Sequence, residues 1–147
     1  MNTSNHDAAV HLDASTESSR PMRSLRQWWR LIAAFLVVAI FAQAVFAGLM
    51  LSGIDWGRTA HSVNAVVLIA STLSAGVASL VTLRRIPHGL KLGFTLLSLA
   101  VLVVLQAAVG VSAAKGANLM WVHIPLGVAL VGLAAQAVAG ARRLGGE

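Results

Sequence analysis

The sequence contains no cysteine, and this absence removes several classes of chemistry at once. Without thiols the chain has no disulfide, no thiolate metal site, no iron–sulfur cluster and no cysteine nucleophile. The absence of cysteine leaves the redox state of the protein's compartment undetermined. A catalytic role would have to rest on other side chains.

Charged residues are also scarce. They make up 11% of the chain, whereas a soluble domain carries about 25%, and hydrophobic residues make up 57%. Since so few charges cannot cover a globular surface, we expect lipid to be the solvent for most of the chain. The 147 residues suffice for one compact unit.

Further motifs are missing as well. The apolar runs contain no Asp or Glu, which argues against a proton relay built from carboxylates. No glycine-rich stretch has the spacing of a phosphate-binding loop. Ser52, Asp55 and His61 do not form a convincing hydrolase triad, because their short loop offers no nucleophile elbow.

Four apolar runs remain, each close to the roughly 20 residues that cross a bilayer. They predict an all-α, integral membrane four-helix bundle over residues 31–141. Residues 1–22 are a predicted disordered tail, 23–30 a basic, tryptophan-containing segment at the membrane surface, and 142–147 a cytoplasmic tail. The predicted helices cover about residues 31–51, 61–83, 92–113 and 122–141.

The basic residues flank these runs. The net charge is +6, but the cations form no separate patch, so we expect them to set topology and not to bind nucleic acid. Arg58 and Lys115 lie on one predicted side, and the other nine lie on the opposite side, which predicts cytoplasmic termini. The nine are Arg20, Arg23, Arg26, Arg30, Arg84, Arg85, Lys91, Arg142 and Arg143.

Two histidines lie just inside the starts of predicted helices. An ionisable side chain in a membrane span is costly and indicates a functional site. His61 and His123 are 62 positions apart, and Gln43 and Gln106, which lie near the ends of the preceding helices, are 63 apart. This spacing predicts two repeated hairpins related by a pseudo-two-fold axis along the membrane normal. The axis would place the histidines at equal depth, facing each other.

Such a pair is suited to heme. A six-coordinate heme needs two axial ligands on opposite faces, histidine is a common one, and bundle cores hold cofactors between facing helices. Ala65 and Gly127 follow His61 and His123 by four positions, on the same helix face, and would leave space for a flat ring. We therefore predict one heme between His61 and His123, near the outer face. Candidate hydrogen-bond partners of the ligands are Gln43, Asn64 and Gln106.

With His61, His123 and the Gln-x-x-x-Gly segment from Gln106 to Gly110, the chain resembles one four-helix half of the heme A synthase family. The resemblance covers about residues 31–141. The chain is also similar to short, uncharacterised four-helix membrane proteins of bacteria. The resemblance implies a multi-pass protein of the bacterial inner membrane that holds heme b between the two histidines.

The chain departs from that family at three points. The substrate half of the family carries a glutamate where this chain has Arg58, an arginine where it has Ser62, and paired loop cysteines that it lacks. Oxidation of a heme methyl group is therefore not implied. Arg58 is instead a candidate partner for a heme propionate, because arginine binds carboxylates in a bidentate manner, or it is simply an exposed loop residue.

Two alternatives stay open. His61, His123 and Asp55 would suit a zinc or copper ion. The chain would otherwise be a non-catalytic structural or assembly protein whose histidines only line helix contacts, like the small residues that let membrane helices pack closely. The sequence identifies no redox partner or quinone, and it leaves a homo- or hetero-oligomer open.

Overall fold

Four helices make up the described part of the chain. The computed structural model describes residues 4–144, and side chains for residues 22–144. Each helix contains a stretch long and apolar enough to cross a membrane, which in the first helix is Met22–Leu51. The prediction of an all-α, multi-pass membrane protein is therefore confirmed. The helices are α1 (Ser4–Leu51), α2 (Asp55–Thr82), α3 (Gly89–Ala114) and α4 (Met120–Arg143).

The two ends of the chain fall largely outside this description. The helical backbone of α1 begins at Ser4, within the segment 1–22 that the sequence predicts to be a disordered tail. The side chains of residues 1–21, and residues 145–147 altogether, lie outside the described part. The two predicted tails stay predictions.

The loop between α1 and α2 is shorter than the predicted segment 52–60, because α2 already begins at Asp55. Gly53 makes the turn with a positive φ of 77°, which glycine adopts without steric cost. Gly57 does not break the helix. A Cβ atom there would lie 2.6 Å from the backbone nitrogen of Met50, so glycine allows α1 and α2 to approach closely. His61 consequently lies well inside α2 and not at its first residue.

The helices form a closed square. Each helix packs against its neighbours in the chain, and α4 packs against α1, whereas within the described residues no contact joins α1 to α3 or α2 to α4. Successive helices are antiparallel, as their short connections require. The two helices that carry His61 and His123 are therefore diagonal neighbours across the bundle.

The fully buried core occupies one half of the bundle. This is the half next to the arginine-rich end, where the membrane-spanning part of α1 begins, α2 ends, α3 begins and α4 ends. Its most deeply buried large side chains are those of Leu36, Leu83, Leu92, Leu96, Leu99 and Leu144. Gly76 and Gly93 let α2 and α3 pack closely here, since a Cβ on either would clash with a leucine of the other helix.

The other half, which we call the histidine end, is less deeply buried. From residue 41 to 67 the only buried residue is Gly57, and from 104 to 129 there is none. Gln43, Ala65, Gln106 and Gly127 are only partly buried. The residues around the histidines are thus more exposed than those of the leucine core.

Candidate functional site

His61 is held by Gln43 of the neighbouring helix. Its Nδ1 lies 3.3 Å from the Gln43 carbonyl oxygen, and its Nε2 lies 3.3 Å from the Gln43 side-chain nitrogen. Because a carbonyl only accepts, Nδ1 carries the proton and Nε2 is the acceptor. The same Gln43 nitrogen donates to the His61 carbonyl at 3.1 Å. The ring is therefore fixed in the tautomer that leaves the Nε2 lone pair available to a ligand.

Asn64 completes this arrangement. Its Nδ2 donates to the Gln43 side-chain oxygen at 2.7 Å and to the Ala39 carbonyl at 2.9 Å. Both ends of the Gln43 amide are thus engaged, one by His61 and the other by Asn64. The sequence predicts Asn64 to be a partner of a ligating histidine, whereas in the structure Asn64 bonds to the glutamine that holds the histidine.

His123 repeats part of this geometry on α4. The Gln106 side-chain nitrogen donates to the His123 carbonyl at 2.9 Å and lies 3.4 Å from His123 Nε2. The imidazole also lies against the α3 backbone. A Cβ atom on Gly110 would be 2.9 Å from His123 Cε1, so the absence of a side chain there accommodates the ring.

The second half lacks the closing hydrogen bonds of the first. Gln106 Oε1 and His123 Nδ1 are both buried without a partner among the described residues. The residue three positions after His123 is Leu126, where the first half has Asn64. Because leucine offers no donor, the Gln106 oxygen stays unpaired. A buried acceptor without a partner costs about 1–3 kcal/mol unless water or a ligand reaches it.

The two histidines lie at the same end of the bundle on diagonal helices. Each is partly buried. Gln43 and Gln106 bond to the histidine of the following helix in the same way. The structure therefore joins His61 to Gln43 and His123 to Gln106, and it places both pairs at one end of the bundle.

The remaining predicted residues have more ordinary surroundings. Ala65 is partly buried next to the site. The space beside Gly127 is taken by Gln106, whose side-chain nitrogen would lie 3.2 Å from an added Cβ. Arg58 is exposed, and it lines a cavity of about 170 Å³ at the α1–α2 turn together with Asp55. The carbonyl of Arg58 accepts a hydrogen bond from Ser62 Oγ at 3.0 Å.

The three-ligand metal alternative does not form. Within residues 22–144, no three histidine, aspartate or glutamate side chains come together in a way that would hold a metal ion. The triplet of His61, His123 and Asp55 therefore gives no zinc or copper site here. A site that uses only the two imidazoles requires a group that supplies the other ligands of its own metal, as a porphyrin does.

Comparison of the chain with protein-family models, with curated proteins and with solved structures gives no match. The resemblance to heme A synthases stays a prediction.

Proposed function

We propose that the chain binds one heme b between His61 and His123, for electron transfer or for an accessory role in heme handling. The observation that carries this proposal is the repeated glutamine–histidine pair. Two imidazoles lie on diagonal helices at one end of the bundle, and each is bonded to a glutamine of the preceding helix. They lie in the half where no inward-facing side chain is fully buried.

The side chains present fit the group. His61 has the protonation that axial ligation needs, with Nδ1 bonded to a carbonyl and Nε2 free of a proton. Each Nε2 is contacted by a glutamine nitrogen, a weak partner that iron would replace. The Gln106 oxygen and His123 Nδ1 have no partner among the described residues, so the His123 ring is held by fewer hydrogen bonds than the His61 ring. Heme ligated by two histidines supplies one-electron redox chemistry. Ala65 would flank the ring, and Arg58 is its candidate propionate partner. Gln106 fills the space beside Gly127, so a ring there would have to displace the Gln106 side chain.

The proposal includes an orientation. The excess of arginine and lysine at the opposite end would place the histidine end at the outer face of a bacterial inner membrane, with both termini in the cytoplasm. A pseudo-two-fold axis along the membrane normal would relate the two hairpins and place the histidines at equal depth. The closed square of helices and the matched glutamine–histidine pairs support the repeat. The resemblance to one half of a heme A synthase belongs to the same proposal, without the methyl oxidation of that family.

A second candidate function has one observation in its favour. In the first half, Gln43, His61 and Asn64 satisfy one another without any ligand. Such a network would let polar residues join helices in lipid, as expected of a structural or assembly protein. Gln106 and His123 do not form such a closed network, so the structural role accounts for only one of the two glutamine–histidine pairs.

An absorption spectrum of detergent-purified protein from heme-replete cells tests the proposal. We expect a low-spin b-type spectrum that sharpens on reduction, and its loss in His61→Ala and His123→Ala. His88→Asn is the matched control, because it removes a histidine at the arginine-rich end and asparagine tolerates the left-handed backbone there. A colourless protein that also takes up no added hemin would overturn the heme proposal and favour the structural role.

A further inference from the structure

The arginine-rich end carries a cavity that heme binding does not explain. Arg23, Arg26, Gln27 and Arg30 line a cavity of about 270 Å³ on α1. Their spacing of three, one and three positions places them on one face of the helix. Three guanidinium groups and one amide thus converge on a single volume.

At least one hydrogen-bond donor of the cavity has no acceptor. Arg26 is partly buried, and its Nε is buried without a hydrogen-bond partner among the described residues. Arg30 is anchored at one side, since its Nη2 donates to the Arg142 carbonyl at 3.2 Å, at the end of α4. Guanidinium groups donate hydrogen bonds and never accept them, so only a ligand with acceptor atoms can satisfy the unpaired Arg26 Nε.

No carboxylate of the described side chains serves as that acceptor. Asp55 is the only acidic residue within 22–144, and it lies at the opposite end of the bundle. Arg84, Arg85 and Lys91 add further positive charge to the arginine-rich end. Positive charge concentrated in this way attracts anions.

We propose that this cavity binds the phosphate of an anionic phospholipid headgroup. Arginine matches phosphate oxygens in a bidentate geometry, and clusters of basic residues beside a membrane span attract anionic lipids. Apolar side chains on the adjoining face of α1 favour a lipid over free phosphate. Trp28 is 64% exposed, Leu31 54% and Phe35 50%, so acyl chains have an apolar surface to lie on beside the headgroup site.

The test compares lipids that stay bound to the full chain. Protein exchanged into detergent with equal amounts of phosphatidylglycerol and phosphatidylcholine is analysed by native mass spectrometry. We expect one retained phosphatidylglycerol, and a loss of about tenfold or more in that preference in the double variant Arg23→Gln, Arg26→Gln, because two charged hydrogen-bonding groups are removed. Arg26→Lys keeps the positive charge but loses the planar guanidinium that binds phosphate in a bidentate manner, so it should give an intermediate preference for phosphatidylglycerol.

The matched control is the double variant Arg84→Gln, Arg85→Gln, which removes the same charge from the same end but does not line the cavity. We expect it to keep the preference. If both double variants lose the phosphatidylglycerol preference equally, diffuse charge attraction and not a defined site explains the binding. If neither variant loses the preference, the proposal is also overturned. Displacement of the lipid by millimolar inorganic phosphate would show a free-phosphate site instead. Because none of these readouts involves heme, the outcome is independent of the proposed function.

Discussion

At the scale of single residues, the two histidine sites differ by one side chain. Asn64 closes the hydrogen-bond network of the first half, and Leu126 leaves that of the second half open. The first histidine is therefore fixed in orientation by its neighbours, whereas the second keeps a buried nitrogen without a partner. If heme is bound, His61 is the better oriented ligand and His123 the one more easily displaced.

Replacing Asn64 tests this difference directly. Asn64→Leu would leave the Gln43 oxygen unpaired, as the Gln106 oxygen already is, and we expect a destabilisation of about 1–3 kcal/mol. Thermal unfolding in detergent measures it. Ser62→Ala is the control, since it removes only a hydrogen bond to a carbonyl of the same helix. Equal stability of the two variants would show that the Asn64 bonds contribute nothing.

Gly110 gives a second prediction at this scale. In Gly110→Ala the new Cβ would lie 2.9 Å from His123 Cε1, so the ring must move by a few tenths of an ångström. We expect weaker uptake of hemin in a titration followed by absorbance, with little change in unfolding, because alanine gains about 1 kcal/mol in helix propensity. Gly132→Ala, with nothing within 4 Å, is the control. Unchanged hemin affinity in Gly110→Ala would show that the ring position does not matter for binding.

At the scale of elements, close helix approach depends on glycines that face backbone. Gly57 packs against the backbone of α1 at Met50. Backbone atoms cannot move away from an added methyl group by a rotamer change, as a side chain can. We expect Gly57→Ala to destabilise the protein by about 1–3 kcal/mol, the typical cost of overpacking. Gly48→Ala, on the open surface of α1, should be neutral or stabilising. Thermal unfolding of both variants checks this, and a Gly57→Ala protein as stable as Gly48→Ala would contradict the packing argument.

The helices themselves were predictable from sequence, and their side-chain contacts were not. Apolar length predicts four spans, and most boundaries of α2, α3 and α4 fall within three residues of the prediction. The exception is the start of α2. Gly57 was expected to lie in the loop, but it lies within the helix and allows α2 to pack closely against α1. The space beside Gly127 was expected to flank a ring, yet it holds Gln106. Spacing along one helix indicates which residues share a face, but it does not indicate which neighbouring side chain fills the gap.

At the scale of the whole molecule, most of the positive charge lies at the end opposite His61 and His123. This segregation predicts the orientation, because basic residues are retained in the cytoplasm. The chain has no cysteine, so a single introduced thiol can be labelled without background. Lys115 and Arg84 are both exposed residues at the ends of spans, at the histidine end and the arginine-rich end respectively, which makes them a matched pair.

We expect a membrane-impermeant maleimide to label Lys115→Cys in intact cells and to leave Arg84→Cys unlabelled until the cells are permeabilised. Gel-shift or fluorescence of the purified protein measures the labelling. The reverse pattern would place the histidine end at the cytoplasmic face, and with it any heme between His61 and His123. Electron partners would then have to be sought on the cytoplasmic side. The orientation thus decides whether electron-transfer partners of this site, proteins or quinones, must reach it from the outer or from the cytoplasmic side of the membrane.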